Sequence, residues 1–433
     1  MASLAMFATT PLLLLLKHLA TPAPSSPIYL DGNGTTPLHP SVQKALLTSI
    51  VQHQSNPSTP TPSGRASKKI IIEATAKIAS LFNPNGTVIF TGSGTESIHT
   101  AITLVLRLHK HNNLNKDPTK LPHIIASHLD HPGTYNTLLR LRDESLITLT
   151  LVHVDSTGTV PEQTLLAAIA SNPPSLVTLL HAHNELGTVQ SLSFIPSLKK
   201  QCPDCLVHLD ASQSLTKTPH FPLAQADLIT ITGHKHGAPK GIAALYLSPA
   251  VLSLDLSIFK KYGGILLAGG GQNDGLRAST ENVPYILALA KSLERIADFA
   301  NTQKHNRGVC EAILEELGDV DFSVNCSSDR TGISNLLSLS FPPVYAKDLV
   351  QALQTRHNVT IAAGSACDAS KGGVPTASRS LVNTPGLTEE QRLGTVRISC
   401  GWWNTKEEGR RAGRAIKMEV ERLRLDIKAR AEK

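Results

Sequence analysis

The sequence predicts an α/β protein: a large domain with a mostly parallel sheet flanked by helices, followed by a smaller α+β domain at the C-terminus. Two observations predict it. From about Pro27, short apolar runs bounded by turn residues alternate with amphipathic stretches of helical length, the pattern of buried strands joined by crossover helices. After Asn282 that alternation stops, and long helical stretches separated by single strands take over. The expected units are an extension at residues 1–26, a large domain at 27–283 and a small domain at 284–433.

The extension carries a short apolar run, Leu12 to Leu16, followed by Lys17, with no acidic residue before Asp31 and no arginine before Arg65. A secretory signal needs positive charge ahead of such a run and a mitochondrial presequence needs arginines, so the segment reads as disordered or weakly targeting. In the large domain the strand candidates are Thr87–Phe90, His123–Ser127, Thr148–Val152, Leu176–Leu180, Leu206–Leu209, Leu228–Thr232 and Ala243–Leu247. Helical spacing falls at Val42–Gln52, Arg65–Leu81, Glu96–His109, Pro161–Ala170 and Ile195–Gln201. The small domain begins with one long helix, about Pro284–Leu317. Strand Ile333–Phe341, helix Lys347–Arg356, strand Thr395–Ser399 and helix Lys406–Ala429 follow.

With 41% hydrophobic residues and no apolar run near the roughly 18 that a membrane helix needs, the chain reads as globular, with no membrane partner. The net charge of +7 is scattered except in the last helix, at Arg410, Arg411, Arg414, Lys417, Arg422 and Arg424. That cluster reads as a solvated face before it reads as a nucleic-acid patch, so no nucleic-acid partner is expected. Six cysteines in 433 residues make no disulfide scaffold and point to an intracellular, cytoplasmic rather than mitochondrial setting. Cys202-Pro-Asp-Cys205 lacks a second Cys or His pair at zinc spacing, so no metal site is expected.

Three segments carry chemistry. Thr91-Gly-Ser-Gly-Thr-Glu-Ser97 joins a strand to a helix, where small residues let backbone N–H groups approach an anion, although an ordinary turn favours the same residues. His208-Leu-Asp-Ala-Ser-Gln213 ends an apolar strand in Asp210, a carboxylate that suits a cationic ring nitrogen or simply caps a helix. In Gly233-His-Lys-His-Gly237, Lys235 ends a strand among glycines, where desolvation would favour Schiff-base chemistry; a basic surface loop is the alternative. Together and in this order they match what pyridoxal 5′-phosphate (PLP) requires: a phosphate cup, an acid for the pyridine nitrogen and an amine for the aldehyde.

The residues also resemble a known family. Tyr29-Leu-Asp-Gly-Asn-Gly-Thr-Thr-Pro37, Asn56-Pro-Ser58, Thr91–Ser97, Asn184-Glu-Leu-Gly187, His208–Gln213 and Gly233–Lys235 stand in the order seen in cysteine desulfurases and selenocysteine lyases. So do Gly269-Gly-Gly-Gln272, Arg277-Ala-Ser-Thr280, Ser365-Ala-Cys367 and Val396-Arg-Ile-Ser399. These enzymes belong to the class V aminotransferase group of fold-type I PLP-dependent transferases. The resemblance implies that Lys235 carries the cofactor, Asp210 meets its ring nitrogen, Gln213 its ring hydroxyl, and His131 stacks on its ring. It implies phosphate contacts from Gly94, Thr95, Thr232 and His234, with Thr280 reaching over from the second subunit of a homodimer. Asn184 and Arg397 would hold the amino-acid substrate, L-cysteine or selenocysteine. Cys367 would receive its sulfur as a persulfide and pass it to an acceptor protein.

Cys367 also stands out without the resemblance, because Ala362-Ala-Gly-Ser-Ala-Cys-Asp-Ala-Ser370 has no apolar periodicity that would bury a thiol. Two residues depart from the family pattern. Asp368 would raise the neighbouring thiol's pKa through like charge, and Trp402, where an arginine is usual, would alter the substrate pocket. Those departures keep a C–S lyase, an aminotransferase or an epimerase in view, and the basic charge keeps a non-enzymatic anion or nucleic-acid binder in view.

Overall fold

Short runs of apolar and β-branched residues build the centre of the protein. In the computed structural model, which describes residues 27–113, 116–218, 222–325, 332–364 and 377–432, they form a seven-stranded sheet. After β1 (Ile28–Tyr29) come β2 (Thr87–Thr91), β3 (His123–Ser127), β4 (Thr148–Val152), β5 (Leu176–Leu180), β6 (Leu206–Asp210), β7 (Leu228–Thr232) and β8 (Ala243–Leu247). The sheet order is β2-β8-β7-β6-β5-β3-β4. All pairings are parallel except those of β8, which is antiparallel to both β2 and β7. Every residue of β5, β6, β7 and β8 is buried, as strands covered on both faces must be.

One helix on the large sheet was not expected from its sequence. Pro132–Asp143 buries only Thr134, Leu138 and Leu141, too thin a stripe to stand out. Its start is fixed instead by Pro132 and by His131, whose Nδ1 accepts from Gly133 N at 3.0 Å.

The expected long helix Pro284–Leu317 is two helices, Val283–Leu293 and Phe299–Leu317, separated by a 3-10 turn at Glu294–Asp298. The break lets one stretch of chain serve two cores. Val283, Ile286, Leu289 and Leu293 pack into the core of the large sheet. Val309, Ile313 and Leu317 pack with Leu339, Phe341, Val396, Ile416 and Val420 in a second core. That second core lies around the antiparallel strands β9 (Ser323–Val324), β10 (Leu336–Ser340) and β12 (Thr395–Ser399) and the helix Lys406–Ala431. It also takes in Ile28 and Leu30, because β1 pairs in parallel with β11 (Val359–Thr360). The cores therefore divide the chain differently from a single cut at residue 283: the start of the chain packs with the C-terminal unit, and Val283–Leu293 packs with the large one. On the last helix Arg414 pairs with Glu316 and Glu407, Lys417 with Asp319, and Arg422 with Glu419 and Asp426. No helix among the described residues is long and apolar enough to cross a membrane.

Candidate active site

The C-terminal ends of the parallel strands open on a cavity of about 400 Å³, where ligands bind in open α/β sheets. Gly94, Thr95, His131, Asn184, Asp210, Gln213, Thr232, His234, Lys235 and Arg397 all line it. Thr280 does not line it and is exposed on this chain. Cys367 and Asp368 lie outside the described residues.

The helix Gly94–Asn113 points its N-terminus at the cavity, so its first N–H groups and its dipole favour an anion there. Close approach to β7 is what glycine at 94 permits, since a Cβ there would overlap Thr232 Oγ1. Gly94→Ala is expected to cost about 1–3 kcal/mol in thermal unfolding, and adding Thr232→Ala to the same chain should recover most of that loss. Thr232 Oγ1 also meets Ser212 Oγ at 2.7 Å, a residue that sequence reasoning passed over. Ser212 N in turn donates to Asp210 Oδ1 at 3.0 Å. Asp210 is 3% exposed at the end of β6, so its carboxylate is desolvated and suited to a cationic partner.

Lys235 ends the 3-10 turn Gly233–Lys235 after β7, and its Nζ donates to Asn33 O at 2.6 Å and Gly34 O at 2.7 Å. Beside it, burial and then the Lys235 charge push His234 down to about 4, so its ring is neutral at physiological pH. His234 Nδ1 shares a hydrogen with Thr35 Oγ1 at 3.0 Å. Because His131 Nδ1 is an acceptor from Gly133 N, the proton of its neutral ring is left to Nε2. Gln213 is committed to Asn33, donating through Nε2 to Asn33 O at 3.0 Å while its Oε1 accepts from Lys217. Lys217 follows Gln213 by four residues, a spacing that could have flagged the contact.

Arg397, 2% exposed, places Nη2 2.7 Å from Asp31 Oδ1 and Nη1 3.5 Å from Asn184 O, while its Nε has no hydrogen-bond partner. A carboxylate entering the cavity would therefore compete with Asp31 for this guanidinium. Trp402 is not among the described residues that line the cavity; it lines the small cavity beside it, together with Lys235. Its ring packs edge-on against His39 and Trp403 and lies 4.1 Å under the Arg295 guanidinium.

Asp130 closes the gap where β3 and β5 diverge. Their pairing stops at Ile125 and Val177, and beyond it Asp130 accepts from Ser127 N at 2.8 Å and Leu180 N at 2.5 Å. Burial pushes its carboxyl up to about 7, against the pull of those two hydrogen bonds. Between the unfolded value near 4 and about 7 the folded state therefore binds more protons than the unfolded state, so stability falls as pH rises through that window and levels above it. Asp130→Asn is expected to be less stable, because its amide cannot accept both N–H groups. Its unfolding profile should also be flatter over pH 4–7, by on the order of 4 kcal/mol, in denaturant titrations at each pH.

The two ends of the segment carrying Cys367 meet at Glu185, also missed in the sequence. Ser378 Oγ donates to Glu185 Oε2 at 2.5 Å and Ser380 Oγ to Oε1 at 3.3 Å. The Cβ position of Gly364 lies 3.3 Å from Ser378 Cβ. Arg379, between the two serines, donates to the carbonyls of His128 and Asp130 and stacks 3.9 Å over Tyr135.

The donor set fits PLP. A glycine-lined helix N-terminus with Thr95, Thr232 and His234 suits a phosphate, a desolvated carboxylate suits a pyridinium, and a lysine amine opens on the same cavity.

The aminotransferase class-V family profile matches residues 28–411. The chain is 30% identical over 406 residues to a protein named cysteine desulfurase from Nostoc sp. (strain PCC 7120), covering 92% of this chain and 94% of that one. It is 30% identical over 431 residues to one named selenocysteine lyase from Bos taurus, covering 93% and 95%. Among solved structures, one titled SspA in complex with cysteine is 27% identical with a TM-score of 0.68, covering 86% of this chain and 99% of that one.

Proposed function

The chain belongs to the aminotransferase class-V family, and from that membership we propose that it is a PLP-dependent cysteine desulfurase, converting L-cysteine to L-alanine. The observation that carries the reading is a single cavity lined at once by Lys235, Asp210, the Gly94–Thr95 helix start and Arg397. When bound, PLP supplies an electron sink that weakens the substrate's Cα–H bond.

The residues around it have separable tasks. Gly94, Thr95, Thr232 and His234 would hold the phosphate, Asp210 the ring nitrogen, and His131 the ring face. Gln213, tied to Asn33 and Lys217, would face the ring hydroxyl. Asn184 and Arg397 would orient the substrate, its carboxylate taking the place of Asp31 on a guanidinium that suits bidentate pairing. Lys235 Nζ, freed by the substrate amine, would take the Cα proton and return it to Cα, while the proton shed by the Cys367 thiol would go to Cβ, so that alanine is released. Cys367 thiolate would attack the substrate sulfur, so that an S–S bond forms as the Cβ–S bond breaks and the electron pair stays with carbon. The persulfide would then go to an acceptor protein. Thr280, exposed on this chain, would complete the phosphate site of a second copy in a homodimer.

The similarity to the bovine protein named selenocysteine lyase favours one second reading, the same steps on selenocysteine. Purified protein supplied with either substrate tests both. The reading expects alanine from L-cysteine with one sulfur released per alanine, and alanine from selenocysteine alone would replace it with the second.

A further inference from the structure

The helix start that favours an anion also carries a carboxylate. Glu96 lies in the first turn of the helix Gly94–Asn113, where its N–H donates to Ser93 Oγ at 3.1 Å and its Oε2 accepts from Gly92 N at 2.7 Å. A capping box would close on the N–H of Ser93; this side chain reaches one residue further, to Gly92, which lines the cavity with Ser93, Gly94 and Thr95. The Cβ position of Gly92 lies 3.1 Å from Glu96 Oε2, so the charge sits directly against the backbone of the cup. A negative charge there opposes the anion that the helix dipole attracts.

Arg277 offsets it. Its Nε donates to Glu96 Oε1 at 2.9 Å, and the two side chains are only 16% and 18% exposed. The guanidinium is itself held in place, with Nη1 donating to Ala278 O at 3.0 Å, while Asn273 Nδ2 donates to Arg277 O at 3.0 Å. About three turns further along the same helix, Arg107 donates to the carbonyls of Ile258, Gly264 and Ile265, which fixes the earlier part of that segment against the helix. We propose that Glu96 and Arg277 are positioning residues for the cofactor's phosphate: the carboxylate fixes the Gly92 N–H and with it the cup, and the guanidinium cancels the charge that would otherwise repel the phosphate. The proposal rests on the assignment of the Gly94–Thr95 helix start as the phosphate site. A glutamine at 96 performs the first task through its amide oxygen and needs no Arg277, so the two tasks are separable.

The test titrates the full chain, stripped of cofactor, with PLP and with pyridoxal, which has the same ring and aldehyde but no phosphate. The ratio of the two affinities reads the phosphate site alone. Arg277→Ala should lower that ratio by about tenfold, and adding Glu96→Gln to the same chain should recover most of the loss. A ratio unchanged in Arg277→Ala, including a loss of affinity shared equally by pyridoxal, overturns the proposal. So does a loss that persists in the double variant, because it would come from displacement of Thr280, three residues after Arg277, and not from a bared charge. Where Arg277→Ala does not fold, Glu96→Gln alone must raise the ratio, since it removes the charge and leaves the guanidinium; an equal or lower ratio overturns the proposal. Wild-type protein that binds the two compounds equally would overturn the phosphate assignment together with the proposal, and that failure shows before any variant is made.

Discussion

Lys235→Ala is expected to leave a folded protein that no longer retains the cofactor's visible band near ~420 nm and that forms alanine from L-cysteine at least ~10³-fold more slowly. The lysine follows β7 on a short turn, half-buried, and its amine donates to the Asn33 and Gly34 carbonyls of the N-terminal segment. It contributes little to either hydrophobic core, so the melting temperature should shift by no more than a few degrees. Absorbance, thermal unfolding and alanine formation on one preparation check the three parts. Retention of the band in the variant would mean that another amine holds the cofactor.

Cys367→Ser is expected to do the opposite to the cofactor and the same to the reaction. The described residues that line the cavity already include Lys235, Asp210 and the Gly94–Thr95 helix start, so the visible band should persist. Alanine formation should fall at least ~10²-fold, since a serine hydroxyl does not serve as a soft nucleophile toward sulfur. Spectra and product assays on the same sample separate holding the cofactor from accepting the sulfur. Full sulfide release by Cys367→Ser would favour a C–S lyase that needs no cysteine.

What the sequence made legible is what local pattern can carry. β3, β5 and β7 are short runs of mostly apolar and β-branched residues, so their limits could be read directly. Asp210 and Lys235 were conspicuous because a charge at the end of such a run needs a reason. The direction of β8 was not legible, since an apolar run looks the same in either orientation. Nor were the long-range contacts. Asp31 meets Arg397 across 366 residues, Glu185 meets Ser378 across 193, and Lys217 meets Asn33 across 184. Each partner alone is an ordinary polar residue, and only the packing of the first segment and of the C-terminal unit against the large one brings them together. The role proposed for Arg397 is sharpened in this way, because a substrate carboxylate bound there would displace an acid already in place.

The persulfide is the most direct test of the reaction. Wild-type protein taken through a single turnover with L-cysteine and digested without reductant should yield the peptide containing Cys367 heavier by one sulfur atom, with alanine formed in equal amount. An unmodified Cys367 alongside stoichiometric alanine, or the extra sulfur on Cys202, Cys205, Cys310, Cys326 or Cys400, would contradict the account.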